Sequence, residues 1–492
     1  MSYNDKYLGV RTREASPLAS SLVESLRDLG YTPETAICDI VDNAIFAGAK
    51  HVWIDFEWSN LQSRIIVRDN GKGMNEDELA QAMRPGSQNP NEERAPNDLG
   101  RFGLGLKTAS FSQCRVFTVI SKKENTPITT WRWDLDYVVN GNGGWNILEF
   151  AEERDIDIVN QMEAGTMIIW ENLDRIVGTP KLLNSEDDFF SVAEKIKRHL
   201  EMVFHRYLEN GKLNIIFNGH KVEPWDPFLR GETATQPFPE EALSEDQVMV
   251  KAYILPHRSK IDPEVWVDGE NRGGWDALQG FYIYRNERLL LAADWLGFTR
   301  KKSHYKLARI MINLPNHLDN EWQIDIKKSR ARPPAYLRQD LKAISLAAMS
   351  HAEQIFRHRG KEIQRSLPGE FSFVWSEVVK NERYYFRINR DHPIIAQQIA
   401  KLPSKKRELE RLFRVIEETV PGPAIIAKEN EYPDSMVRPY EKTPSEELTA
   451  VMKELFEGWI KNGISKEEAC KKLLIIEPFS DYPQYIETLK DE

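Results

Sequence analysis

Asp98-Leu99-Gly100-Arg101-Phe102-Gly103-Leu104-Gly105-Leu106-Lys107-Thr108, followed by Ala109-Ser110-Phe111-Ser112, sets three glycines ahead of a small-residue helical start. Glycines there let backbone N–H groups approach an anion without Cβ interference, and the helix N-terminus with Lys107 adds positive potential at the same point. This is phosphate-binding chemistry. A dinucleotide fold uses G-x-G-x-x-G directly after a strand, whereas here the order is G-x-x-G-x-G after a polar loop, Met83 to Asn97. A P-loop uses G-x-x-x-x-G-K-[ST], and Leu106 inserts one residue too many between glycine and lysine.

Upstream, Thr32-Pro33-Glu34 reads as a helix opening and Gly48 as its stop, which predicts a helix from Pro33 to about Ala47. Asp39 and Asn43 lie four apart and project from one face, while Ile37, Ile40, Val41 and Ala44 supply the buried side. An amide oxygen is a hard ligand suited to Mg²⁺, and a carboxylate one turn away can orient or deprotonate an attacking water. Alternation over Val52, Ile54, Phe56 and Trp58, and again around Ile65 to Arg68, predicts two strands. The second delivers Asp69 into Asp69-Asn70-Gly71-Lys72-Gly73-Met74. A buried carboxylate at that strand end accepts a hydrogen bond from the exocyclic amine of adenine and repels the guanine carbonyl, which favours ATP over GTP. Met83 to Asn97, rich in Pro, Asn and charge, has the length of a mobile lid. Gly165-Thr166 opens the apolar strand Met167-Ile168-Ile169-Trp170, placing a hydroxyl within reach of the base or of Asp69.

In order and spacing, Asp39-x-x-x-Asn43, Asp69-x-Gly71-x-Gly73, Gly100-x-x-Gly103-x-Gly105-x-Lys107 and Gly165-Thr166 resemble the four motifs of the GHKL ATPases. That superfamily includes DNA gyrase, the ninety-kilodalton heat-shock chaperone, histidine kinases and MutL. Ile40-Val41-Asp42-Asn43-Ala44 and Gly103-Leu104-Gly105-Leu106-Lys107-Thr108 are most similar to MORC ATPases and their bacterial relatives. The resemblance implies an α/β (α+β) architecture with an N-terminal Bergerat-fold sandwich, helices on one face of a mixed sheet. It also implies that Asn43 binds Mg²⁺, that Asp69, Gly71, Gly73, Met74 and Thr166 surround the base of ATP, and that Gly100, Arg101, Phe102, Gly103, Leu104, Gly105, Leu106 and Lys107 close over its phosphates. Two positions depart from the family pattern: Asp39 stands where Glu is usual, one methylene short, which points to slow hydrolysis with binding intact, and Phe46 stands where an acidic residue is common.

A chain of 492 residues has the length of about three domains. We expect a nucleotide domain over 1–180, a transducer domain with α/β layers over 181–365, and a mixed or mainly helical region over 366–492. The second resembles the transducers of gyrase, MutL and MORC: a helix from Val192 to Leu208, strand Leu213 to Phe217, the hairpin signal Asn218-Gly219, and strands near Val248–Ile254, Gly280–Arg285 and Leu307–Asn313. Arg300 to Arg332 carries nine Lys or Arg against three acidic residues in a chain of net charge −10, a local track for a phosphate backbone or a solvated charged face. Family transducers insert one basic residue at the γ-phosphate from such a loop, so Lys327 or Lys328 is the expected catalytic cation. Pro334 to about Arg359 is a long helix. Beyond Ser366-Leu367-Pro368-Gly369, Phe371 to Pro393 is strand-like, Lys405 to Glu418 helical and Pro421 to Pro439 a linker; Thr443-Pro444 and Ser465-Lys466-Glu467-Glu468 open further helices. A dimerisation or partner-docking role is expected there.

Cys38, Cys114 and Cys470 form no paired ligand set, which excludes a disulfide framework or zinc site of ordinary spacing. With no run of about 18 apolar residues and no signal-like N-terminus, a cytoplasmic, non-membrane protein is expected. The resemblance implies an Mg-dependent ATPase that dimerises on ATP as a clamp on DNA, acting in phage defence beside a separate nuclease or effector protein. A protein-remodelling chaperone and a non-hydrolysing nucleotide-sensing scaffold are the alternatives.

Overall fold

In the computed structural model, residues 10–11, 13, 17–86, 105–140, 144–179, 182–243, 248–315, 318, 321–323, 331–357, 372–380, 383–422, 424–425 and 444–490 are described. Helix α1 spans Ala19–Arg27 and α2 Pro33–Phe46. The Thr32 hydroxyl accepts from the Thr35 N–H and the Thr35 hydroxyl accepts from the Thr32 N–H, a capping box that contributes about 1 kcal/mol, and Pro33 fills the first helical turn. Gly48, at φ +76°, takes the left-handed position that stops the helix.

The elements that follow are β1 (His51–Glu57), β2 (Arg64–Asp69), α3 (Glu76–Met83), α4 (Gly105–Gln113), β3 (Val116–Lys122), β4 (Thr129–Asp134), α5 (Leu135–Val139), α6 (Glu153–Asn160) and β5 (Gly165–Glu171). A small hairpin of β6 (Gly178–Thr179) and β7 (Leu182–Leu183) leads to α7 (Glu186–Val203), α8 (His205–Glu209), β8 (Asn214–Phe217) and β9 (His220–Lys221). One seven-stranded sheet forms in the order β4-β3-β5-β2-β1-β8-β9, antiparallel except where β8 runs parallel to β1. Ile37, Ile40, Val41 and Ala44 of α2 join Phe111 of α4 and Phe189, Ile196 and Leu200 of α7 over the inward residues Val52, Ile54, Val67, Val119, Ile168 and Trp170. On the opposite face Val159 of α6 covers Ile66, Ile120, Met167 and Ile169.

The expected boundary at residue 180 does not separate the two sheets. The Ile215 and Phe217 side chains of β8 need a buried face that a two-stranded hairpin cannot provide alone, and the parallel edge of β1 supplies it, so the first sheet continues to Lys221. The second sheet is built from β10 (Gln236–Pro237), β11 (Glu241–Leu243), β12 (Val248–Ile254), β13 (Gly280–Arg285), β14 (Arg288–Asp294) and β15 (Ala308–Leu314), in the order β10-β12-β15-β13-β14 with β11 also on β12. Helices α9 (Pro263–Glu270) and α10 (Arg338–Arg357) cover one face through Trp266, Leu341, Ala348 and Ala352. On the other, Tyr253, Tyr282, Tyr284, Leu289 and Met311 gather round Phe228 and meet Met202 of α7. Helix α7 therefore packs on both sheets, Phe189 and Leu200 toward the first and Met202 toward the second.

The chain divides into two compact units, 1–361 and 362–492. The second holds the hairpin β16 (Trp375–Lys380) and β17 (Arg383–Ile388), α11 (Pro393–Lys401) and α12 (Lys406–Thr419), and two helices, Glu446–Lys461 and Lys466–Leu474, capped by Ser445 and Ser465. Met452, Phe456, Cys470, Leu473, Phe479 and Ile486 form its core. Most of the expected linker over 421–439 lies outside the described residues. All three cysteines are buried and unbridged, and no described helix is long and apolar enough to cross a membrane.

Candidate nucleotide site

Strand register creates the first half of the site. Asp69 pairs with Thr166 across β2–β5 and Thr166 with Ser121 across β5–β3, so three polar side chains form one row at a sheet end. By the two-residue period of each strand, the row is on the face covered by α2 and α4, beyond Val67, Ile168 and Val119. Ser121 and Thr166 hydroxyls are 2.9 Å apart, and Ser121 Oγ accepts from the Met74 N–H at 2.9 Å and lies 3.1 Å from the Gly165 carbonyl. Asp69 Oδ1 accepts the Gly71 N–H at 2.7 Å. Burial raises the Asp69 carboxyl to about 6, against the opposing pull of that hydrogen bond.

The glycines of this motif are required by contact. A Cβ on Gly71 would stand 2.7 Å from Ala47 Cβ at the end of α2; one on Gly73, at φ +63°, would stand 1.8 Å from the Lys122 carbonyl oxygen. The Lys72 N–H donates to the Ala47 carbonyl at 3.0 Å, so the loop after β2 is fastened to the helix carrying Asp39 and Asn43. Gly165 likewise brings β5 against Asp69, where a Cβ would lie 2.2 Å from the Asp69 carbonyl oxygen.

The second half lies between α2 and α4. Asp39 is buried and Asn43, one turn later, is exposed. Tyr31 Oη donates to Asp39 Oδ2 at 2.8 Å, and a Cβ on Gly105, the first residue of α4, would be 3.7 Å from the same oxygen. Asp39 thus stands at the end of the glycine loop. Leu106 packs against the core, and Lys107 is buried with Nζ donating to the Ala82 carbonyl at 2.8 Å, near the C-terminal end of α3. Desolvation pulls Lys107 down to about 8. The Phe46 ring carries the Lys72 ammonium 5.6 Å from its centre.

Gly100, Arg101, Phe102, Gly103 and Leu104, with most of the expected lid and with Lys327 and Lys328, lie outside the described residues. Among the described residues of the basic stretch, not every cation is at the surface. Arg309 is buried on β15, donating to the Lys306 and Ala308 carbonyls, and Lys306 sits over the Trp266 and Phe356 rings; Arg300, Lys301, Lys302 and Arg332 stay exposed. Two site residues escape sequence reasoning, Tyr31 and Ser121. For Ser121 a signal existed: a hydroxyl on a row whose other members, Phe117 and Val119, are apolar.

Comparison with known proteins agrees with this geometry. Residues 31–166 match the family described as histidine kinase-, DNA gyrase B-, and HSP90-like ATPase. The chain is also 34% identical over 92 residues to ATPase morc-1 of Caenorhabditis elegans, a stretch covering 19% of this chain and 10% of that protein. The matched segment therefore spans about a tenth of the curated relative's length. The N-terminal part of this chain is a GHKL ATPase domain of the Bergerat fold, distantly related to that of a MORC-type ATPase.

Proposed function

We propose that this site binds and slowly hydrolyses ATP, and that ATP gates the pairing of two chains into a clamp on DNA. The supporting observation is a pair of unlike polar groups on the same face of the first sheet: the Asp69–Thr166–Ser121 row at the sheet end, and, on the α2 that covers it, buried Asp39 beside the first residue of α4. The row suits a purine amine, with Asp69 as acceptor and the hydroxyls completing its surroundings. Asp39, held by Tyr31, would orient and deprotonate the attacking water, and the glycine loop ahead of α4 would take the phosphates. Among the described residues no group of three His, Cys, Asp or Glu could hold a metal. The exposed, neutral, hard amide oxygen of Asn43 fits an Mg²⁺ that keeps phosphate and water ligands, and the ion would offset phosphate charge.

One of Lys327 and Lys328 reaches the γ-phosphate in this scheme, and exposed Arg300, Lys301, Lys302 and Arg332 offer charge to a DNA backbone. A cytoplasmic role in phage defence beside a separate nuclease or effector extends the same proposal. The test is ATP turnover by wild type and Asp39→Asn, with and without duplex DNA, across about 50 to 300 mM salt. Turnover lost in the variant with ATP binding kept, and stimulation by DNA that fades with salt, is the expected outcome. Turnover by Asp39→Asn at the wild-type rate removes Asp39 from the chemistry, and indifference to DNA at every salt concentration removes the clamp.

A further inference from the structure

Between Asp39 and Asn43 on α2 stands Asp42, buried, and its partner comes from the second sheet. Arg288 Nε donates to Asp42 Oδ1 at 3.1 Å and Arg288 Nη2 lies 3.1 Å from Oδ2, a bidentate pair between two buried side chains 246 residues apart. Arg288 is the first residue of β14. It follows directly on Asn286 and Glu287, both with positive φ (47° and 67°), the tight turn that joins β13 to β14. Glu in the left-handed region is strained. Contacts that hold this turn against the nucleotide domain include Tyr207 Oη donating to the Asn286 carbonyl at 2.7 Å, Lys212 Nζ pairing with Glu287 at 2.9 Å, and Arg288 gripping Asp42. Arg288 Nη1 also donates to the Leu289 carbonyl, which fixes the guanidinium plane. Burial opposes the Arg288 charge, but Asp42, Cys38 and Asp39 outweigh it, so the guanidinium lies in the field of the site itself.

A buried ion pair is a poor way to gain stability, because desolvating two charges cancels most of their attraction. What it does supply is directional geometry, here delivered to the helical turn between the water-activating carboxylate and the Mg²⁺ ligand. We infer that Arg288 is a positioning residue: through Asp42 the β13–β14 turn holds Asp39 and Asn43 in working register, and the second sheet thereby controls turnover. This rests on the proposed roles of Asp39 and Asn43.

The test uses the full chain with Arg288→Lys, Arg288→Met and the double variant Asp42→Leu/Arg288→Met, following kcat, KM for ATP, ATP affinity by calorimetry and melting temperature. Arg288→Met should lower kcat about 10- to 100-fold with KM and affinity within about twofold, and Arg288→Lys should recover part of the loss. The double variant removes both buried charges, so it should melt near the wild-type temperature and still turn over at the slow rate. A double variant with wild-type kcat overturns the inference and leaves the pair a packing feature, even where the single variants do not fold. Failure of the underlying roles shows separately, as wild-type turnover by Asp39→Asn.

Discussion

Asp69→Asn should make the nucleotide-free protein more stable while weakening ATP. In the folded chain the Asp69 carboxyl sits at about 6, against 3.8 when exposed, because burial penalises its charge. Between these values the folded state keeps a proton that the unfolded chain has already released, so stability falls as pH rises through this window, and above about pH 6 the full cost is present. At roughly 1.4 kcal/mol per pH unit the cost is on the order of 3 kcal/mol. Asn keeps the volume and an oxygen for the Gly71 N–H, and the shift to about 6 already includes what that bond gives the charged form, so no further loss is subtracted. The gain should be about 3 kcal/mol at pH 8, shrinking below pH 6 and absent near pH 4. Thermal unfolding of wild type and variant across that range isolates the one carboxyl, since every other group titrates in both. Adding ATP at about 100 times its dissociation constant should stabilise wild type by about 2.7 kcal/mol and the variant by much less. A variant that is no more stable at pH 8, or a difference that does not change with pH, refutes the assignment of Asp69 as a buried, desolvated acceptor.

Gly73→Ala should destabilise the nucleotide-free protein by more than about 2 kcal/mol, since the new Cβ meets the Lys122 carbonyl in a positive-φ backbone; an unchanged melting temperature contradicts the close approach of this loop to β3. Tyr31→Phe leaves the ring in place and removes the bond to Asp39, so kcat should fall about tenfold with KM unchanged, and steady-state kinetics showing an equal kcat would relieve Tyr31 of any part in orienting the carboxylate. A non-hydrolysable ATP analogue should double the mass seen by analytical ultracentrifugation if ATP gates pairing as proposed, because bound nucleotide shifts the chain toward its pairing-competent state; a mass independent of analogue favours the nucleotide-sensing scaffold.

Local signals carried much of the N-terminal fold. The Thr32 N-cap followed by Pro33, the alternation of β1 and the Asn218-Gly219 turn each specify a conformation within a few residues, and each element formed where its pattern lay. Strand β14 shows the opposite case. Arg288-Leu289-Leu290-Leu291 alternates on neither face because both faces are covered, so it lacks the period that marks a half-buried strand. The site divides along the same line. Asp69, Gly71, Gly73 and Thr166 are legible because each answers to a nearby backbone demand: a strand end, a loop pressed on Ala47, a carbonyl at Lys122, a register partner.

Tyr31 and Arg288 answer to side chains reached only after the chain has folded, one across the start of α2 and one across the two sheets, and no spacing in the sequence encodes such a meeting. The difference has a physical consequence for how the two halves of the site can fail. Residues set by local backbone demand should fail through stability, as Gly73 is expected to. Those set by tertiary pairing hold a carboxylate or a helical turn in register, so their loss should appear first in turnover. Asp42 belongs to the second class although it lies within a motif of the first: its neighbour Asp39 pairs with Tyr31 and Asn43 is exposed, while its own carboxylate points to Arg288. A kcat loss in Arg288→Met with ATP affinity unchanged would place Asp42 with the tertiary group and make the β13–β14 turn part of the ATPase site.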